Sequence, residues 1–129
     1  MNSIDLLHEK ISILNNVMSR VSPKYDNIFL ECSELFLNTL RKQGTIFWCG
    51  NGGSAAESSH LAAELIGRFK SNRKALPSIS LSSDLSVITC IANDFGYEKV
   101  FSRQLSALAK KGDILMRIKE EYFIGKKIV

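Results

Sequence analysis

Residues 45–54, TIFWCGNGGS, constrain the fold of this chain more than any other stretch. TIFWC lies between two glycines. It is too short for a helix and too uniformly apolar for a strand with one wet face, so it reads as a strand buried on both sides, as in a parallel sheet. A parallel strand needs a crossover before its neighbour, and the crossover is usually a helix. The pattern over 54–70 supplies one, with Leu61, Leu65 and Phe69 on its core stripe. SISLS at 78–82, entered from Pro77, is a second strand. Asp84 can cap a helix running to about residue 92, where NDFGY breaks it. A further helix over 97–109 turns Val100, Phe101, Leu105 and Leu108 inward. Gly112 ends that helix, and residues 113–118 form a third strand. Strand, helix, strand, helix, strand is the order of an α/β fold with a parallel sheet between helical layers.

Two amphipathic segments precede the first strand. Ile4, Leu7, Ile11, Leu14, Met18 and Val21 recur at steps of three and four, which marks a helix over 3–21. Ser22-Pro23 supplies a cap and a first-turn proline for a second helix to about 43, burying Ile28, Cys32, Leu35, Phe36 and Leu40, with Gly44 as its stop. Helices placed this way serve as an oligomer interface or pack on their own sheet.

With 129 residues, 45% hydrophobic and 23% charged, the chain suits one globular domain. It has no apolar run of the roughly 20 residues that span a bilayer. The N-terminus carries acids and a histidine where a secretory signal would be basic and then apolar, so a cytoplasmic location is expected. Three widely spaced cysteines, Cys32, Cys49 and Cys90, suggest neither a disulfide framework nor a zinc knuckle. The formal charge of +4 is scattered along the chain and is a mild bias toward anionic partners, which sugar phosphates satisfy as well as nucleic acids do. Neither nucleic acid nor a membrane is an expected partner.

In an open parallel sheet, ligands bind beyond the carboxyl ends of the strands. Residues 50–54 lie there. Glycines let backbone N–H groups approach a ligand, the following helix directs its positive end to the same point, and Asn51 and Ser54 add groups that read hydroxyls. A plain strand-to-helix turn with Ser54 as the cap accounts for the same residues. The loop lacks the lysine of a P-loop and the spacing of a dinucleotide fingerprint, which disfavours nucleotides. His60 and Glu64, four apart, share a helix face. They fit a proton-transfer base with a neighbour, two ligands for a divalent metal, or an ordinary surface pair with Glu64 bridging to Arg68. Asn93 and Asp94 read as a turn or as ligands at the sheet edge.

In combination, CGNGGSAAESSHLAAELIGRF, LPSISLSSDLSVITCIANDFGYEKVFSRQL and KKGDIL resemble consecutive pieces of the phosphoheptose isomerase family of SIS (sugar isomerase) domains. The resemblance covers residues 1–115. It implies an α/β, three-layer parallel sheet of flavodoxin-like type preceded by two N-terminal helices. The implied activity is conversion of D-sedoheptulose 7-phosphate to D-glycero-D-manno-heptose 7-phosphate, a precursor for lipopolysaccharide or other surface glycans. It also implies substrate contacts from Asn51, Gly52, Gly53, Ser54, Arg68, Asn93 and Asp94. Glu64 is implied as catalytic base, His60 and Glu64 as part of a zinc site, and the assembly as a homotetramer.

After residue 115 the family continues with a Ser/Thr-rich turn of the type STSGNS, which holds the substrate phosphate, and later with a glutamine and a second histidine. This chain reads MRIKEEYFIGKKIV. The expected organisation is therefore a helical pair over 1–44, a partial SIS domain over 45–118 with its last strand an open edge, and a divergent tail over 119–129. A non-catalytic SIS module, binding sugar phosphate or associating with a replication initiator, is the alternative.

Overall fold

A computed structural model describes residues 2–119 and 122–127, with only the backbone described for 22–24 and 122–127. The α/β reading holds: three parallel strands lie between helices. The two N-terminal segments are helical as expected, but the break between them is absent, because α1 is one helix of 39 residues, Ser3–Arg41. Asn2 caps it, its Oδ1 accepting from the backbone N–H of Ile4 at 2.9 Å and of Asp5 at 2.8 Å. A proline inside a helix costs about 3 kcal/mol. At Pro23 the apolar stripe continues in phase through Met18, Val21, Tyr25, Ile28 and Cys32, and propagation on both sides carries the helix across. The left-handed residue after α1 is Gln43, at φ 60°, rather than Gly44. Gly44 answers a different need: a β-carbon there would lie 2.9 Å from Thr39 Cγ2 and 3.0 Å from the Gly112 carbonyl oxygen.

The elements that follow are β1 (Ile46–Cys49), α2 (Gly53–Ile66), β2 (Ser78–Ser80), α3 (Leu85–Phe95), a 3-10 turn (Tyr97–Lys99), α4 (Val100–Leu108), β3 (Ile114–Lys119) and β4 (Tyr122–Lys127). The sheet order is β2-β1-β3-β4. β1 is central and parallel to both β2 and β3, while β4 runs antiparallel on β3. β3 is therefore not the open edge expected from the sequence. Of the tail at 119–129, residue 119 closes β3 and 122–127 form β4, while 120, 121, 128 and 129 lie outside the described residues.

The chain divides into two units, residues 1–34 and 35–129. The first is the bulk of α1. In the second, the β1 side chains alternate between two cores, and all four are buried. Ile46 and Trp48 join Ile114, Met116 and Ile118 beneath Leu35, Phe36 and Leu40 of α1 and Leu61 and Leu65 of α2. Phe36 stacks on Trp48 at 5.7 Å between ring centroids. Phe47 and Cys49 face the other way, with Leu81, against Phe101 and Leu105 of α4. Buried Asp113 pins the ends of this layer, accepting from Thr45 N–H at 2.7 Å and Lys110 N–H at 2.7 Å.

Candidate functional site

Because β2 and β3 flank β1 on opposite sides and their connecting helices lie on opposite faces, the chain reverses direction across the sheet at the carboxyl end of β1. That is the switch point where open α/β sheets bind ligands. A cavity of about 750 Å³ opens there, lined from β1 and its loop by Cys49, Gly50, Asn51 and Ser54, and from β3 by Leu115, Arg117, Ile118 and Lys119. Tyr97, Glu98, Phe101, Ser102 and Leu105 form its other wall.

The glycine loop is shaped by two separate constraints. Gly50 passes so close to α2 that a β-carbon would lie 2.6 Å from Ser54 Cβ and 2.6 Å from its carbonyl oxygen. Gly52 sits at φ 56°, where L side chains are disfavoured. Ser82 fastens the turn from β2, donating to the Gly50 carbonyl at 2.8 Å and accepting from Gly50 N–H at 3.1 Å. Ser54 is not the cap of α2. Gly52 occupies that position and provides no side-chain bond, so the positive end of α2 is open beside the cavity. Asn51 Oδ1 accepts from the Tyr97 hydroxyl at 2.8 Å, which sets the amide over the loop.

Among the expected site residues, Asn51 and Ser54 line the cavity, and Gly52 and Gly53 begin α2 beside it. The others are elsewhere. His60 and Glu64 lie about two and three turns along α2, flanking the inner stripe of Ser58, Leu61, Ala62 and Leu65. They form a pair, His60 Nε2 to Glu64 Oε1 at 3.7 Å, with side chains 66% and 32% exposed. α2 stops at Ile66, four residues before the expected end, capped by Gly67. Arg73 supports that end by donating to the carbonyls of Glu64 at 2.6 Å and Leu65 at 2.8 Å. Phe69 is consequently outside the helix and exposed. Arg68 bonds Asn72 rather than Glu64. Asn93 and Asp94 do not break α3 but form its last turn, Asn93 Nδ2 donating to Asp94 Oδ1 at 2.8 Å, and the stop is Gly96 at φ 88°. Leu108, expected inward, is 48% exposed.

Tyr97, Ser102, Arg117 and Lys119 were not foreseen as site residues. Tyr97 closes NDFGY, read as a turn, Ser102 lies within the helix read over 97–109, and MRIK reads as a departing tail; only the register Cys49↔Arg117 brings β3 alongside the loop. Burial pushes the Cys49 thiol up from its ordinary range, and the opposing pull of the Arg117 charge is the lesser effect. Cys49 therefore stays a neutral thiol near pH 7 and is no nucleophile.

A doubly wound α/β domain with a polar cavity beside a glycine turn at the switch point defines a small-molecule-binding domain. The chain belongs to the SIS domain family, whose model matches residues 11–121. It is 44% identical to a phosphoheptose isomerase of Helicobacter pylori, over 88% of this chain and 59% of that protein. It is 54% identical to a phosphoheptose isomerase of a Nitratiruptor species, over 67% of this chain and 46% of that one. Among solved structures, phosphoheptose isomerase GmhA from Neisseria gonorrhoeae superposes with a TM-score of 0.69 at 37% identity, over 88% of this chain and 60% of its own. A phosphoheptose isomerase from Francisella tularensis, at 24% identity and a TM-score of 0.79, shares the fold. The chain thus spans less than two thirds of the length of these relatives.

Proposed function

We propose that this chain carries part of a phosphoheptose isomerase site. Its reaction is the conversion of D-sedoheptulose 7-phosphate to D-glycero-D-manno-heptose 7-phosphate, in the cytoplasm, for surface glycans such as lipopolysaccharide. The observation that carries the reading is the 44% identity, over 88% of the chain, to a protein named phosphoheptose isomerase. Among the described residues no helix is long and apolar enough to cross a membrane.

In this reading Glu64 is the base. It removes a proton from C1 of the ketose while the C2 carbonyl oxygen gains one from an acid, giving a cis-enediol. Returning the carbon-bound proton to C2 as O1 loses its own leaves the aldose. Asn51, Gly52, Gly53 and Ser54 hold the sugar at the open end of α2, with Arg68, Asn93 and Asp94 as further contacts. Glu64 stands off the cavity of its own chain, so the reading includes a homo-oligomer, a tetramer, in which a neighbouring copy completes the site. Zinc does not fit the described residues as a whole site: no group of three candidate ligands occurs among them, and His60 and Glu64 supply two where a zinc site uses three or four. No step is assigned to it.

The absence of Glu64 and His60 from the cavity wall favours a second reading, a non-catalytic SIS module that binds sugar phosphate or associates with a replication initiator. One experiment separates the two. The chain is continued beyond Leu115 with the remainder of the Helicobacter relative, and heptose 7-phosphate formation is followed with and without Glu64→Gln. The amide keeps the shape and cannot accept the proton, so the rate falls roughly a hundredfold or more. If the glutamine variant keeps most of the activity, Glu64 is not the base. If the fusion has none, the binding-module reading stands instead.

A further inference from the structure

The backbone of the glycine loop is held from two sides, while its one polar side chain depends on a residue far away in sequence. Ser82 fixes Gly50, and the Asn51 carbonyl accepts the Ser54 N–H at 3.0 Å as α2 begins. The Asn51 side chain is exposed and has one partner among the described residues, the hydroxyl of Tyr97, which donates to Oδ1 at 2.8 Å. Local geometry places that tyrosine. Gly96, at φ 88°, stops α3, and the Lys99 N–H bonds the Gly96 carbonyl at 3.1 Å to close the 3-10 turn that leads into α4. Tyr97 opens this turn and stands on the other wall of the cavity from the loop. Its side chain is 56% exposed, so burial does little to fix the ring, and the bond to Asn51 is what ties it down.

An unheld asparagine amide turns readily, because the torsion that carries it is broad and roughly two-fold. It then presents its oxygen and its nitrogen to the cavity by turns. With Oδ1 engaged by Tyr97, the unused hydrogen-bonding capacity of the amide lies mainly in its two N–H groups, which have no partner among the described residues. The open end of α2 beside them adds positive potential. Both features suit an acceptor oxygen on the ligand. We infer that Tyr97 is a positioning residue: its hydroxyl holds Asn51 as a hydrogen-bond donor to a carbonyl or hydroxyl oxygen of the sugar, and it acts on the ligand through that amide.

The inference rests on the isomerase reading for the identity of the sugar, and one arm of its test needs no ligand. In the 129-residue chain, nitrogen NMR relaxation follows the Asn51 side-chain amide, recognised as the signal lost in Asn51→Ala. The amide is rigid in the parent and mobile in Tyr97→Phe, which removes only the hydroxyl. The second arm is calorimetry with D-sedoheptulose 7-phosphate. Tyr97→Phe weakens binding about three- to tenfold, the worth of one hydrogen bond. In an Asn51→Ala background it weakens binding no further, which is the coupling of a residue that acts through another. A tyrosine of merely structural role would weaken binding equally in both backgrounds. The inference is overturned by that equality, by an Asn51 amide as mobile in the parent as in Tyr97→Phe, or by a parent chain that does not bind the sugar phosphate. Circular dichroism verifies that each variant is folded. The isomerase reading is judged separately, by heptose 7-phosphate formation in the fusion. Activity there with an unheld Asn51 amide sinks this inference alone, and a held, coupled amide in a chain whose fusion is inactive sinks the isomerase reading alone.

Discussion

Gly50 and Gly53 stand three residues apart in one loop and answer to different physics. At Gly50 a β-carbon meets Ser54 Cβ and backbone at 2.6 Å, and neither can yield without moving α2. At Gly53 nothing lies within 4 Å, and the residue already sits in the first turn of α2. Gly50→Ala should destabilise the domain by about 1–3 kcal/mol, the usual cost of overpacking. Gly53→Ala should stabilise it by about 0.4–1 kcal/mol by restricting the unfolded chain. Urea unfolding midpoints measure both, and equal effects at the two sites would contradict this account of the loop. The sequence showed that the loop is glycine-rich. It did not show that close approach requires Gly50 and leaves Gly53 free, because only packing against α2 separates them.

At the scale of elements, α1 carries the largest unanswered feature. Ile4, Leu7, Ile11, Leu14, Met18, Val21, Tyr25 and Ile28 follow steps of three and four without a phase slip, and Ile4, Leu14 and Met18 are 65%, 59% and 60% exposed. A sustained heptad left open to water is the pattern of a helix that packs against other helices. Leu6, Ile13 and Val17 are exposed on a further strip, broader than the narrow seam of a two-stranded coil, which agrees with an assembly larger than a dimer. Leu14→Asp should therefore lower the mass seen by light scattering, an Asp in an apolar seam being costly to desolvate. A parent chain that is monomeric at micromolar concentration, or a variant of unchanged mass, would refute the interface. The periodicity of α1 was legible in the sequence, whereas its continuity through Ser22-Pro23 was not. Local signals at a proline favour a stop, and the unbroken stripe on either side outweighs them.

For the whole molecule, the question is what a partial set of ligands can hold. His60 and Glu64 are one helical turn apart, the first exposed and the second half-buried, and no third ligand joins them among the described residues. Zinc should bind this chain weakly, with water or a neighbouring copy filling the remaining positions. Tight, stoichiometric binding by calorimetry, abolished by His60→Ala, would overturn the weakness while confirming the pair as ligands.

The sequence alone determined the α/β class, the buried central strand, the order of helices and strands from β1 to β3, and the glycine turn before α2. All of these follow from local periodicity and turn chemistry, which act over a few residues. The tertiary structure decided which residues meet. Strand register set Arg117 beside Cys49, and the switch of helices across the sheet opened the cavity next to Asn51. The pairing of β4 with β3 covered an edge that the pattern had left bare. Register and edge pairing join residues far apart in the chain, and no local spacing encodes them, since a strand reads the same whichever neighbour it finds.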